Sequence, residues 1–224
     1  AGTMIDVLKG RVVKSPAIVI TDGRITAVGK STDLKQPDNA AHIDLGDKVI
    51  LPGLIDMHTH ITSHHDVHGF RRHSISLPRA TITGVAQART TLLAGVTTVR
   101  NLGAPGYSDV ALRDAIAEGV VEGPRMYVSG PPVGITGGHC SDINLLPAEY
   151  ELEGEGVADG PWAARAAVRR NIKYGVDLIK TCSTGGVLSK GTKVGAPQYS
   201  VEELTALTEE AHSRGIKVAS HAHG

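Results

Sequence analysis

Large flat side chains are scarce in this sequence: aromatic residues make up 3% of it, with one tryptophan and one phenylalanine. That argues against a sandwich built on big aromatic anchors. Cysteine is nearly absent as well. Cys140 and Cys182 are too few for a disulfide framework; buried free thiols are the expectation, with a single bridge left open. Neither sign of charge predominates, since 23 basic residues offset 23 acidic ones. No polyanion partner is implied, and no basic stripe points to nucleic acid. No apolar run reaches the length of a bilayer span. Gly-x-Gly-x-x-Gly and Walker-type phosphate loops are missing too, which removes the usual nucleotide-binding readings. No secretory leader is visible, so a cytoplasmic location is expected. Secretion or export to a periplasm stays open, because Ala1-Gly2-Thr3-Met4 enters a strand almost at once.

What the sequence does have is glycine, 27 residues, and histidine, 11 residues. The histidines cluster. Those from His58 to His73 form one group, and His139, His221 and His223 stand apart. The stretch Leu51–His60, LPGLIDMHTH, organises the rest: an apolar run ends in two histidines one residue apart. In a strand, alternate residues share a face, so His58 and His60 point the same way, with Asp56 continuing the alternation. Two neutral imidazoles on one face can bind a single metal ion. A strand end with two exposed or locally paired histidines is the alternative.

Residues 1–48 read as short strands, at Val12-Val13, Ala17–Thr21, Arg24–Val28 and Ile43–Leu45. Asp22-Gly23 is a type I′ hairpin signal between two of them. From Val49 the pattern changes to strands alternating with helices. Helices are predicted over 79–94, 108–118, 162–174 and 201–213, three of them closed by Gly95, Gly119 and Gly175. Ser200 with Glu203 forms a capping box for the last. Strands are predicted over 96–99, 125–129, 176–182 and 216–220, with an irregular loop over 130–160. Five strand units alternating with helices predict an α/β fold with a parallel sheet. Polar residues recur at the strand C-termini (His58, His60, Asn101, Lys180, His221), which favours a TIM (β/α)8 barrel and its catalytic rim over a doubly wound sheet.

Taken residue by residue, Lys180 ends the run Gly175–Ile179, where burial favours the neutral amine; a lysine reaching out of the barrel mouth fits equally well. His221 closes the last strand, and His223 shares its face, either near a site or simply in a loop. His139 follows Gly137-Gly138, glycines that let backbone approach a ligand closely; a loop histidine bonded to backbone is the alternative. Cys140 beside it reads as a packing cysteine. His64, His65, His68 and His73 read as a solvated lid. Glu149, Glu151, Glu153 and Glu155 read as a solvated face, or as an attractor of cationic substrate.

Several of these segments carry a family resemblance. Pro52–His60 resembles the first-strand signature of the amidohydrolase superfamily, and Asp177–Lys180 with Ser183–Val187 resembles the fourth-strand segment of its imidazolonepropionase-like and prolidase branch. Asp22–Ile25 is similar to the strand pair of the small β-sandwich that precedes the barrel. The resemblance implies hydrolysis of an amide or peptide bond, in a dipeptide or N-acyl amino acid, by a metal-bridging hydroxide. It implies two divalent ions, Zn²⁺ by ligand type. His58 and His60 would hold one, His221 the other, and a carbon dioxide-derived carbamate on Lys180 would bridge them. His139 would hold the scissile carbonyl, and His223 would contact substrate. The ending His221–Gly224 is closer to ochratoxinase-like amidases than to branch dipeptidases with tyrosine there.

A cyclic-amide hydrolase of the imidazolonepropionase type is the alternative, though that class typically lacks the bridging lysine. A fragment without activity or a non-enzymatic scaffold is the other. The expected partners are a small amide or peptide and further copies in a homo-oligomer, with neither nucleic acid nor membrane. A complete barrel has eight strands and about 250 residues, against five strands here. The family's sixth-strand histidine and eighth-strand aspartate are therefore expected outside this chain, together with the second half of the barrel. The domain boundary is expected between residues 48 and 49.

Overall fold

Thr3–Asp6 (β1), Arg11–Lys14 (β2), Pro16–Thr21 (β3), Arg24–Lys30 (β4) and Val49–Ile50 (β5) make up the strands of a first compact unit, Ala1–Gly53. In the computed structural model, which describes all residues except Gln36, Asp142 and Gly224, β1 is the centre of a three-stranded sheet. It pairs antiparallel with β2 and parallel with β5. β3 and β4 form a separate hairpin. Its two-residue turn takes positive φ at both Asp22 (51°) and Gly23 (71°), as a type I′ turn requires. The strand expected at Ile43–Leu45 is not formed. Gly46 N–H bonds Asp44 Oδ1 at 2.8 Å and Lys48 N–H bonds Leu45 O, so local turns take the groups a ladder would need.

The second unit, Leu54–Gly224, alternates strand and helix. Its elements are β6 (Leu54–Thr59), α1 (Leu77–Leu93), β7 (Val96–Asn101), α2 (Ser108–Ala117), β8 (Arg125–Val128), α3 (Pro161–Lys173), β9 (Leu178–Cys182), α4 (Val201–His212) and β10 (Lys217–His221). β6, β7 and β8 form one parallel sheet in that order, and β9 pairs parallel with β10. Gly95 (φ 92°) follows α1 in the left-handed conformation that ends a helix without a Cβ clash. The Ser200–Glu203 capping box opens α4, and Glu203 Oε1 also accepts Gly160 N–H at 2.8 Å, tying the start of α4 to that of α3.

Two apolar clusters fill the space between helices and strands. Ile61, Ala88, Val99, Leu112, Met126 and Val128 join α1 and α2 to β7 and β8. Ala164, Ala167, Val168, Ile179, Leu207 and Ala211 join α3 and α4 to β9. Alanines on the inner faces of α1, α3 and α4 let the backbones come close, so the core is built with little aromatic bulk.

The apolar run before His58 departs from expectation. It is split at Pro52-Gly53, with Val49–Ile50 pairing in the first unit. Leu54, Ile55 and Met57 are exposed, because β6 pairs with β7 alone among the described strands. No helix among the described residues is long and apolar enough to cross a membrane.

Asp177 links the two parallel sheets. Its N–H bonds Val128 O at 2.8 Å, and its Oδ2 accepts both Val128 N–H (2.9 Å) and Arg113 Nη1 (2.9 Å). Asp177→Ala leaves the Val128 amide of a fully buried residue without an acceptor. It should cost about 1–3 kcal/mol in urea unfolding. Asp177→Asn keeps an acceptor and should cost less.

Candidate functional site

The C-terminal ends of the second unit's strands gather most of the residues picked out by sequence. β6 is irregular just before its end, where its register against β7 shifts between Asp56 and Thr59. Asp56 Oδ1 accepts His58 N–H at 3.0 Å, and Arg100 Nε donates to Met57 O at 2.7 Å, so a carboxylate and a guanidinium stabilise the bulge. The His58 and His60 rings come together, edge to face, with centroids 5.2 Å apart. His60 Nδ1 lies 3.5 Å from Gly103 O, a long contact that favours the proton on Nδ1 and the lone pair on Nε2.

Lys180 is buried, 4% exposed, and does not reach out into solvent. Burial, and then the charge of Arg100, pull its pKa down to about 8. Burial also lowers His58, followed by Lys180, Arg100 and His221; these three groups therefore sit within electrostatic reach of His58. His60 is pushed down to about 4, by burial first and His58 second. His60 is itself exposed, so water screens much of that effect. His221 is lowered by burial and then by Lys180, against a raising backbone hydrogen bond to Gly185. The imidazoles are thus biased toward the neutral form, and the Lys180 amine gives up its proton more readily than an ordinary lysine.

His221 Nε2 carries the clearest sign of a missing neighbour. It is the one buried side-chain nitrogen or oxygen among the described residues with no hydrogen-bond partner. A buried, unpartnered ring nitrogen costs free energy that a metal ion would recover. Imidazole nitrogens such as those of His58, His60 and His221 are of the chemical type that binds a metal ion. No group of three or more His, Cys, Asp and Glu side chains able to hold a metal ion is present among the described residues.

His139 tilts over His221, ring centroids 4.2 Å apart. Its Nδ1 bonds Ser189 Oγ and its N–H bonds Gln198 Oε1 at 3.0 Å. A Cβ at Gly186 would run into the His139 ring, so that glycine makes room for it. The His223 ring is 6.1 Å from His221, and its N–H bonds Thr184 Oγ1. Cys140 and Cys182 are joined in a disulfide, contrary to the free thiols expected. Val133 lies beside Thr181, and Cys182 N–H bonds Val133 O, so the loop after β8 returns over the end of β9 and brings the two sulfurs together.

Outside the site, His64 bonds Thr83 Oγ1 at 3.1 Å, while His65, His68 and His73 are exposed. Glu149, Glu151 and Glu153 are exposed, and Glu155 accepts Gly106 N–H at 2.8 Å. Sequence reasoning did not pick out Arg100, Ser189, Gln198 or the buried Asp109. Only Asn101 had a signal, as a polar residue closing a strand.

Residues 49–224 match the model of the amidohydrolase family. Ochratoxinase of Aspergillus niger is 33% identical over 236 residues, covering 96% of this chain and 48% of its own. The crystal structure of a Xaa-Pro dipeptidase with bound methionine in the active site superposes with a TM-score of 0.83 at 34% identity, covering 100% of this chain and 56% of its own. A prolidase complexed with N-methylphosphonate-L-proline gives 0.83 at 29%, covering 99% and 54%. The chain spans about half the length of the relatives it matches.

Holding His60 neutral has a consequence for pH. Its folded pKa, about 4, lies below the ordinary 6.5, so between these values the unfolded chain binds more protons. His60's contribution to the stability of the metal-free protein should therefore fall as pH drops from 6.5 toward 4 and change little below, where loss of the Glu210 ion pairs takes over. Urea midpoints across that range should show a shallower slope for His60→Gln.

Proposed function

We propose, because this chain belongs to the amidohydrolase family, that it supplies the metal-binding part of a hydrolase acting on an amide or peptide C–N bond. The observation that carries the reading is the buried, unpartnered His221 Nε2 on the same rim as His58, His60 and Lys180. The strand–helix units are the first five of a (β/α)8 barrel, and the first unit's strands are part of a small β-sandwich. His58 and His60 would hold one divalent ion and His221 a second, with Zn²⁺ suited to imidazole ligands.

Bound ions supply acidity to water and polarise the scissile carbonyl. The chain's own residues supply the rest. Lys180, with a pKa brought to about 8, offers a neutral amine to carbon dioxide. The nitrogen–carbon bond would form, a proton would leave to water, and the carbamate would add a carboxylate-like donor beside the histidines. Gly103 O and the Gly185 backbone hold ring protons of His60 and His221. His139, anchored by Ser189 and Gln198, hydrogen-bonds the substrate carbonyl, and His223 lines the approach beyond His221. Dipeptides and N-acyl amino acids are the substrates to test, given a dipeptidase and an ochratoxinase among the relatives. Burial of Lys180 at the site weighs against a cyclic-amide hydrolase without a bridging lysine.

Chelation of the intact protein should abolish turnover of these substrates, and Zn²⁺, Co²⁺ or Mn²⁺ should restore it. Full activity in metal-free protein would sink the proposal. With ¹³C-bicarbonate, a carbamate resonance should appear in the wild type and vanish in Lys180→Ala. His139→Ala should lower kcat by about 10²–10³ while metal content is unchanged. Loss of metal instead would make His139 a ligand.

A further inference from the structure

Asn101 closes β7 with its side chain fully buried, 0% exposed. Its Oδ1 accepts Ile61 N–H at 2.7 Å and lies 3.4 Å from the Thr59 hydroxyl, so it grips the residues on both sides of His60. Its Nδ2 donates to Gly103 O at 3.2 Å, the same carbonyl that meets His60 Nδ1 at 3.5 Å. One amide therefore holds three points around one imidazole. The ring contact is long, so the direction of the ring depends on where that carbonyl is held. Gly103 reaches its position with φ 133°, a conformation that glycine adopts readily.

Asp109, also 0% exposed, sets the orientation of the amide. Its Oδ2 accepts Asn101 Nδ2 (3.2 Å) and Gly130 N–H (3.1 Å), and its Oδ1 accepts Val110 N–H (2.9 Å). With only donors around it, the carboxylate acts solely as an acceptor. Flipping the Asn101 amide would set its oxygen against that carboxylate and against Gly103 O, and its NH₂ against Ile61 N–H. A buried carboxyl is a costly way to secure packing alone, since an apolar pair of similar volume serves as well.

We propose that Asn101, locked in one orientation by Asp109, is the positioning residue of His60, fixing both its place on the rim and the ring nitrogen that carries its proton. The inference rests on the reading of His60 as a metal ligand. Neither residue touches the ion or the substrate; they act through Gly103 O and the backbone flanking His60.

The test uses the intact protein with Zn²⁺ as the probe, in Asp109→Asn, Asn101→Ala and, as control, His60→Ala. Asp109→Asn keeps the shape and carries the test alone if Asn101→Ala fails to fold. Zn²⁺ affinity by competition with a chromophoric chelator should fall about 10–100-fold in Asp109→Asn and in Asn101→Ala. In the metal-free protein, ¹⁵N NMR of His60 should show one tautomer, protonated on Nδ1, in the wild type and a mixture in the variants. Zn²⁺ binding within about twofold of wild type, or a His60 tautomer unchanged in both variants, overturns the proposal. Weaker binding with an unchanged tautomer marks a merely structural pair and overturns it equally. If His60→Ala binds Zn²⁺ as the wild type does, the reading of His60 as a ligand fails instead. The tautomer result then still decides whether Asn101 positions the ring.

Discussion

Parallel pairing brings each strand to the rim at a fixed height, and the chemistry of the second unit depends on that. Thr59 lies level with Asn101, Asn101 with Val128, and Cys182 with His221. Residues far apart in sequence thereby become neighbours at strand ends, where the ladder leaves groups that side chains must satisfy. Asn101 reaches β6 and the loop after β7, and Asp109 reaches the loop after β8. Asp177 joins the edge of β8 to the chain entering β9. The irregular end of β6 matters for the same reason. A regular strand would hold its ladder to the last residue, whereas the bulge at Met57-His58 lets Asp56 and Arg100 take over the backbone there.

Burial and like charge act together at that rim. Four bases lie within electrostatic reach, and crowding by the strand ends disfavours the protonated form of each. Burial is the largest cause throughout, and the Arg100 guanidinium adds to it for His58 and Lys180. The result is a rim on which protonation of the imidazoles is disfavoured. In the His221 ring this reaches a buried nitrogen with no partner at all.

Much of this was legible in the sequence because its causes are local. The Asp22-Gly23 turn, the Ser200–Glu203 capping box and the glycine stops all act within a few residues, and the helices fall within about two residues of their predicted ends. The motifs around His58 and Lys180 led to the family that the match over residues 49–224 establishes. What was not legible depends on distant partners. Nothing near Cys140 indicates that Cys182, 42 residues on, will bond to it. The exposure of Leu54 and Ile55 follows from a strand paired on one side, which an apolar run does not reveal. Asp109 reads as an ordinary first-turn helix acid until Asn101 and Gly130 close over it. Ser189 and Gln198 belong to a loop without a periodic pattern, and only the fold sets them beside His139.

The cross-link divides the chain in a way the folded molecule conceals. One of its sulfurs is bonded next to His139 and the other two residues beyond Lys180, while His58, His60 and His221 all lie outside the closed loop. In the chain-entropy view, closing a loop of this size removes freedom from the unfolded state worth about 4 kcal/mol. When every strand has come apart, His139 and Lys180 therefore still diffuse as neighbours. The denatured protein keeps a trace of its own site, a high local concentration of one imidazole around one amine.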